Sequence, residues 1–385
     1  MRALVIGGAG FIGSHLVDRF LEEGFQVRVL DSLDPKIHPG GKPSYLSPRA
    51  DFIKGDVTDP TVLLHALRGV DVVSHQAAYQ DYMPDFSRFL HVNAVGTALL
   101  YELIVRENLK VKKVIVASSQ AVYGEGQYVC AQHGAFLPVP RSQQLQEGKW
   151  EILCPQCGLE SNPVLLCEAY TNPYNQYAVS KLAQEKTALG LGWLYSIPSV
   201  ALRYSITQGP RQSLFNHYSG VCRIFVSRAL RGKPLLVYED GRQTRDFVHV
   251  QDVVEANMLV LRKDEADFQA FNVGSGRSTS VLEYAQIVRD KVGCAVDLQL
   301  PGEYRRGDNR HSVSSIAKLS AVGWSPDRGL STILEDFLEW VERSGGIPEQ
   351  MADAYSDMKE SGVVLRRSTD CSVSSSVPKS TWRLA

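Results

Sequence analysis

The chain has 385 residues, 44% of them hydrophobic, and its 41 Lys+Arg and 42 Asp+Glu leave a net charge of −1. That is material for one large domain or two ordinary ones. It offers no basic field to nucleic acid or to an anionic membrane surface, so neither partner is expected. No apolar run reads as a membrane span. Residues 1–6 lead straight into a glycine-rich motif and leave no room for a signal peptide. A cytoplasmic protein is therefore expected, with its seven cysteines as thiols or metal ligands rather than disulfides.

Short β-branched runs alternate with longer helical patterns. Strands are predicted at 2–6, 26–30, 51–53, 71–75 and 113–116, and helices at 14–23 and 92–107. Such alternation predicts an α/β fold, a Rossmann-type doubly wound parallel sheet with helices on both faces. The rhythm breaks after Tyr123. Residues 124–172 are irregular and rich in Pro, Gly, Gln and Cys, and read as an insert with its own stabiliser. A helix at 174–189 and a strand at 199–204 follow. Short strands at 235–238, 247–250 and 271–273 then lie among helices.

The first motif, Gly7-Gly8-Ala9-Gly10-Phe11-Ile12-Gly13, ends a strand and opens a helix. Gly7 permits the tight turn, Gly10 lets the backbone approach a pyrophosphate, and Gly13 lets helix and strand pack closely. The helix N-terminus then offers N–H groups and a positive dipole end to phosphates. Asp31 closes the next strand, where its carboxylate can hydrogen-bond both ribose hydroxyls and would repel a 2′-phosphate; NAD is favoured over NADP. Residues 1–198 are read as an NAD-binding domain carrying the insert. Residues 199–345 are read as a smaller C-terminal α/β substrate domain, with about 245–262 returning to the first. Residues 346–385 form a tail with one helix and a disordered, Ser-rich end.

Tyr177 and Lys181 are four residues apart and so share one helix face. An ammonium and a pyridinium ring beside a phenol both favour its phenolate, which can take a proton from a carbinol as hydride leaves for NAD. The segment Ser118-Ser119-Gln120-Ala121-Val122-Tyr123-Gly124 follows a strand, at the end where α/β enzymes place their chemistry.

These motifs, with Arg245-Asp246-Phe247-Val248-His249-Val250-Gln251-Asp252, resemble the extended short-chain dehydrogenase/reductases. In order and spacing they are similar to the NAD-dependent sugar-nucleotide epimerase/dehydratase family, nearest its UDP-glucose 4-epimerase-like and dTDP-L-rhamnose 4-epimerase-like branches. The resemblance covers roughly residues 1–340. It implies that Ser119 bonds the reacting oxygen, that Tyr177 is the acid/base, and that Lys181 holds the nicotinamide ribose and tunes Tyr177. It implies cofactor contacts at Asp56, Val57, Ala77, Ala78 and Asn93. It also implies substrate contacts at Gln120, Arg211, Arg245, Arg305 and Asp308, where arginine suits a diphosphate.

Related dehydratases and decarboxylases carry acids after the Ser119 position. Gln120-Ala121 here cannot do proton chemistry, which leaves a 4-epimerase working through a transient 4-keto sugar as the expected activity. A dehydratase, decarboxylase or dehydrogenase on the same scaffold, or a non-catalytic NAD or sugar-nucleotide binder, are the alternatives. Ile206 stands where an Asn is usual, with Ser205 or Thr207 as substitute donors. The resemblance also implies a homodimer, paired through helices around 92–107 and 174–189. Within the insert, Cys130, His133, Cys154 and Cys157 form two x2-spaced pairs that look like a structural zinc site, with Cys167 as an alternative to His133. The insert is expected to roof the active site.

Overall fold

The computed structural model describes residues 1–139, 141–215, 220–348 and 354–367. Its main sheet has seven strands: β1 (Arg2–Ile6), β2 (Gln26–Asp31), β3 (Asp51–Lys54), β4 (Val72–His75), β5 (Lys113–Ser119), β6 (Ser199–Tyr204) and β7 (Gln269–Val273). They lie in the order β7-β6-β5-β4-β1-β2-β3, each pair of neighbours parallel. The sequence pattern explains the layering. On β1, Leu4 and Ile6 point into one core while Ala3 and Val5 point into the other. Helices Pro60–Leu67, Gly96–Arg106 and Gln176–Leu194 cover the first face. Phe11–Glu22 and Val250–Arg262 cover the second. Fully burying each Leu or Val there stabilises by about 1.5–3 kcal/mol.

Helix starts carry the signals their sequences suggest. Asp59 accepts from the Thr61 and Val62 amides ahead of Pro60. Asn175 accepts from the Ala178 amide at 2.8 Å, which fixes where the Tyr177 helix begins. The helix predicted at 92–107 starts earlier, at Phe86, and carries a π-turn at His91–Val95. At 21 residues it is long and apolar enough to cross a membrane, an exception to the sequence reading. Phe89, Leu100, Tyr101, Leu103 and Ile104 are buried against the domain, as in the core helix of a folded protein.

One expectation about domains needs correction. The border at 198 does not hold, because β6 and β7 both complete the main sheet; β6 is buried at all six positions between β5 and β7. The smaller lobe is built instead around Val221–Leu230, Val281–Val292 and Leu330–Arg343, with Phe225, Tyr284 and Phe337 in its core. The helix expected in the C-terminal tail is Ala354–Glu360, and beyond it Val364–Arg366 pairs antiparallel with Glu303–Arg305. The Ser-rich end lies outside the described residues. The insert has regular structure of its own, a three-stranded sheet of Gly134–Phe136, Tyr128–Cys130 and Asn162–Pro163.

Candidate active site

The chain leaves β1 for a helix on one face of the sheet and leaves β4 for a helix on the other. Between these adjacent strands their carboxyl ends open a crevice, the position where doubly wound sheets bind ligands. It continues between the lobes as a cleft of about 1270 Å³, which exceeds a usual single-ligand pocket of roughly 300–1,000 Å³.

The β1 end is shaped by absent side chains. Gly7 has φ +80°, and a Cβ there would lie 2.5 Å from the Ala77 amide nitrogen. A Cβ on Gly13 would lie 2.1 Å from the Gly7 carbonyl oxygen, so only glycine lets the helix close onto the turn. Gly10 precedes helix Phe11–Glu22 with no side-chain cap. The helix N-terminus and the residues Gly7, Gly10, Phe11, Ile12 and Gly13 face the cleft. Asp31 is held at the end of β2, accepting from the Ala9 amide at 3.0 Å and the Leu33 amide at 2.9 Å. Asp56, Val57, Ala77 and Ala78 line the same end. Asn93 does not reach it: fully buried, its amide accepts from the Tyr79 N–H and donates to the Tyr79 carbonyl and Ser180 Oγ. It supports the cleft wall from behind. These residues fit a dinucleotide: a cradle that any Cβ would fill, an uncapped helix N-terminus, and a carboxylate one strand over.

Deeper in, β5 delivers Ser119 and helix Gln176–Leu194 delivers Tyr177 and Lys181, all three lining the cleft. The Tyr177 hydroxyl accepts from Gln80 Nε2 at 2.6 Å and lies near Ser119. Burial pushes the phenol's pKa up, and the bonds from Gln80 and Ser119 pull it down. Lys181 is 1% exposed and donates to Gln184 Oε1, itself fixed by Thr97 Oγ1. Burial lowers the Lys181 ammonium from 10.5 to about 7, opposed by the charge of Glu185. Glu185 in turn grips Arg203 with both oxygens, at 2.9 and 2.7 Å, and accepts from Ser118 Oγ at 2.7 Å. Gln80 carries no sequence signal beyond lying just past the Ala77-Ala78 pair, and its place against the phenol was not legible.

At the far end stand Gln120, Arg245, Arg305 and Asp308. Asp308 lies between the arginines, with Arg245 at 3.2 Å on one oxygen and Arg305 at 2.7 Å on the other. Burial alone would raise its carboxyl, but Arg305 and Arg245 outweigh that and hold it at about 2. Arg245 also donates to the carbonyls of Asn309 and Arg310, and Gln120 accepts from Ser312 Oγ. Arg211 does not join this group. Its backbone has φ +65°, and its guanidinium pairs with Asp18 at 2.7 Å on a separate surface depression. Ser205, Ile206 and Thr207 all line the cleft. Asp246, quoted above only as part of a motif, is fully buried and accepts from Ser205, Ser275, Gly276 and Ser314, tying β6 to the smaller lobe.

Among the described residues none of 124–172 lines the cleft, so the insert is not its roof. It braces the 308–315 loop from behind. Leu166 and Val313 are joined backbone to backbone, the Arg310 amide donates to Glu125, and the Arg310 guanidinium meets Glu151. In the insert itself the ligand atoms of Cys130, His133, Cys154 and Cys157 all lie within 4.8 Å of one another; Cys167 is not in the group.

The likeness to known proteins agrees with this geometry. The family model "NAD dependent epimerase/dehydratase family" matches residues 3–143 and 160–274. The chain belongs to that family. It is 32% identical over 349 residues to a dTDP-L-rhamnose 4-epimerase of Burkholderia thailandensis, covering 88% of this chain and 94% of the relative. Among solved structures, a UDP-glucose 4-epimerase of Thermotoga maritima with UDP-glucose superposes with TM-score 0.72 at 28% identity, over 89% of this chain and 99% of its own. The Thermus thermophilus UDP-glucose 4-epimerase in complex with NAD gives 0.69 at 31% identity, again over 89% and 99%.

Proposed function

We propose that this protein is an NAD-dependent sugar-nucleotide 4-epimerase that works through a transient 4-keto sugar. The observation that carries the reading is the meeting of Ser119, Tyr177 and Lys181 in the cleft, with Gln120 and Ala121 where a second proton-transfer group would be needed for dehydration. NAD, when bound, supplies the hydride acceptor and donor. Tyr177 Oη takes the C4 hydroxyl proton and later returns it, and Ser119 Oγ holds the same oxygen. Lys181 adds a positive charge to the site and, through Gln184 and Thr97, is anchored to the neighbouring helix. Arg245 and Arg305 hold the diphosphate, so the sugar ring can turn over while the nucleotide stays fixed. Incubation with UDP- or dTDP-hexoses in heavy water is expected to invert C4 with no deuterium at C3 or C5 and no net NADH. Deuterium at either carbon, or stoichiometric NADH, would reject the mechanism.

We place a zinc ion among Cys130, His133, Cys154 and Cys157. Zn–S bonds of about 2.3 Å and a Zn–N bond of about 2.0 Å in a tetrahedron require S···S edges near 3.8 Å and S···N edges near 3.5 Å. The observed Cys130–Cys157 edge is 3.6 Å, and His133 Nδ1 lies 3.8 and 3.5 Å from Cys130 and Cys154. Four protein ligands leave no open position, so the role is structural. A reducing compartment such as the cytoplasm keeps these free thiols available. Metal analysis is expected to find one zinc per chain. Cys157→Ser should lose it, with a fall in Tm of roughly 5 °C or more. An unchanged metal content would remove the ion from this site.

A homodimer is supported by exposed apolar side chains. The packed helices Phe86–Arg106 and Gln176–Leu194 expose Val95, Val105, Trp193 and Leu194 to solvent, and exposed apolar groups of this size are found at subunit contacts.

A further inference from the structure

Beyond Arg305 the cleft continues past the diphosphate-binding end, and part of its wall comes from the C-terminal segment. Tyr355, Ser361, Gly362 and Val363 line it, as do Tyr82, Ile224 and Tyr238. Met358 and Val364 are buried beneath, packed against Tyr82, Ile224, Tyr238, Tyr355 and Val363. We propose that residues 354–367 form the nucleobase wall of the sugar-nucleotide site, and that the turn at Gly362-Val363 helps decide which nucleobase is accepted. The proposal rests on the sugar-nucleotide reading above and deepens it.

Three observations place the segment as a built part of the site. First, its strand pairs with the strand that carries the diphosphate arginine, Arg305 opposite Val364 and Glu303 opposite Arg366. The Arg306 amide also donates to the Val363 carbonyl at 3.1 Å. Movement of the segment is thereby movement of the Arg305 backbone. Second, Glu303 is fully buried, and its carboxylate is bonded by groups of the segment: Tyr355 Oη at 2.8 Å, Lys359 Nζ at 3.2 Å and Arg366 Nε at 2.8 Å. A buried carboxylate stripped of such partners is costly, so the segment is held down by a strong local preference. Third, the chemistry of the wall suits a flat heteroaromatic ring. Tyr82, Tyr238 and Tyr355 offer aromatic surface, and Ile224 and Val363 apolar edges. The sugar occupies the Ser119–Tyr177 end and the diphosphate the arginines, so the ring that reaches this wall is the base.

The test uses the full-length chain with its NAD. Hydrogen exchange at residues 362–366 is expected to slow when UDP or dTDP is added, and not when NAD alone is added. Calorimetry with the same two free nucleotides should show Glu303→Gln weakening binding about 10-fold. Val363→Ala should change the UDP/dTDP affinity ratio about 3-fold or more. NAD content should stay at the wild-type level in both variants. Unchanged exchange, or unchanged affinities and ratio in both variants, would overturn the wall. Because these readouts need no turnover, they separate the two ideas. A chain that passes them yet epimerises no sugar nucleotide sinks the epimerase reading and keeps the wall. A wild-type chain that binds neither nucleotide sinks both.

Discussion

Tyr177→Phe is expected to lower kcat on the order of 10³-fold while leaving NAD content and sugar-nucleotide affinity near wild type. The ring still packs against Tyr79 and Phe89, so the fold loses one hydroxyl and no volume. What disappears is a titratable hydroxyl that lines the cleft beside Ser119, and general acid–base contributions of this kind are worth about 10²–10⁴. Two companions fix the mechanism rather than the residue. Gln80→Leu removes a donor that favours the phenolate, so the phenol's pKa rises and the ascending limb of the pH–rate profile moves to higher pH. Lys181→Met removes the ammonium that burial lowers to about 7, so a descending limb set by that group near pH 7 should disappear. Stopped-flow rates across pH 6–10, roughly the span of the unperturbed His and Tyr groups, decide the matter. A Tyr177→Phe variant within about threefold of wild type would end the tyrosine's candidacy.

Glu185→Ala is expected to destabilise the fold by about 3–5 kcal/mol, read from urea midpoints. The carboxylate is 1% exposed and Arg203 is 3% exposed, so removing one leaves a buried, uncompensated charge beside Tyr123, Ser118 and Asn272. Arg203→Ala should cost a similar amount, and the double variant less than the sum, because the two act as one unit. Glu185→Gln, which keeps the shape, reports on chemistry. Glu185 raises the Lys181 pKa, so without its charge the ammonium falls further below about 7 and is lost at lower pH. Activity that depends on that ammonium then declines earlier as pH rises. If Glu185→Ala unfolds at the wild-type urea midpoint, the pair is not the internal anchor described here.

Much of the first half of the chain was legible because its signals are local. Gly10 and Gly13 are dictated by their close approach to Gly7, and the Tyr177–Lys181 spacing by one helical turn. The readings that failed concern non-local placement. Asn93 and the residues that do line the cleft look alike in a string, since an amide that props a wall and one that faces a ligand have the same composition; the π-turn at His91–Val95 turns this one inward. Arg211 follows the Gly209-Pro210 pair in the sequence, but its left-handed backbone sends it to Asp18. Strand periodicity showed β6 and β7 without showing their neighbours, because parallel strands pair across long crossovers and the partner is set by packing of the intervening helices. The clustering of Cys130, His133, Cys154 and Cys157 was legible from spacing. The surface the insert leans on was not, since Glu151 reaches Arg310 across 159 residues.

The Asp308 bridge between Arg245 and Arg305 also has a bearing on anion discrimination. An empty cleft with two unopposed guanidinium groups would be a trap for any cellular phosphate. Here the cations are already satisfied, so an entering anion gains only by outcompeting a built-in carboxylate at two places at once. Inorganic phosphate spans one of those places. A diphosphate carries two such groups, one for each arginine, so a preference for it over inorganic phosphate is expected.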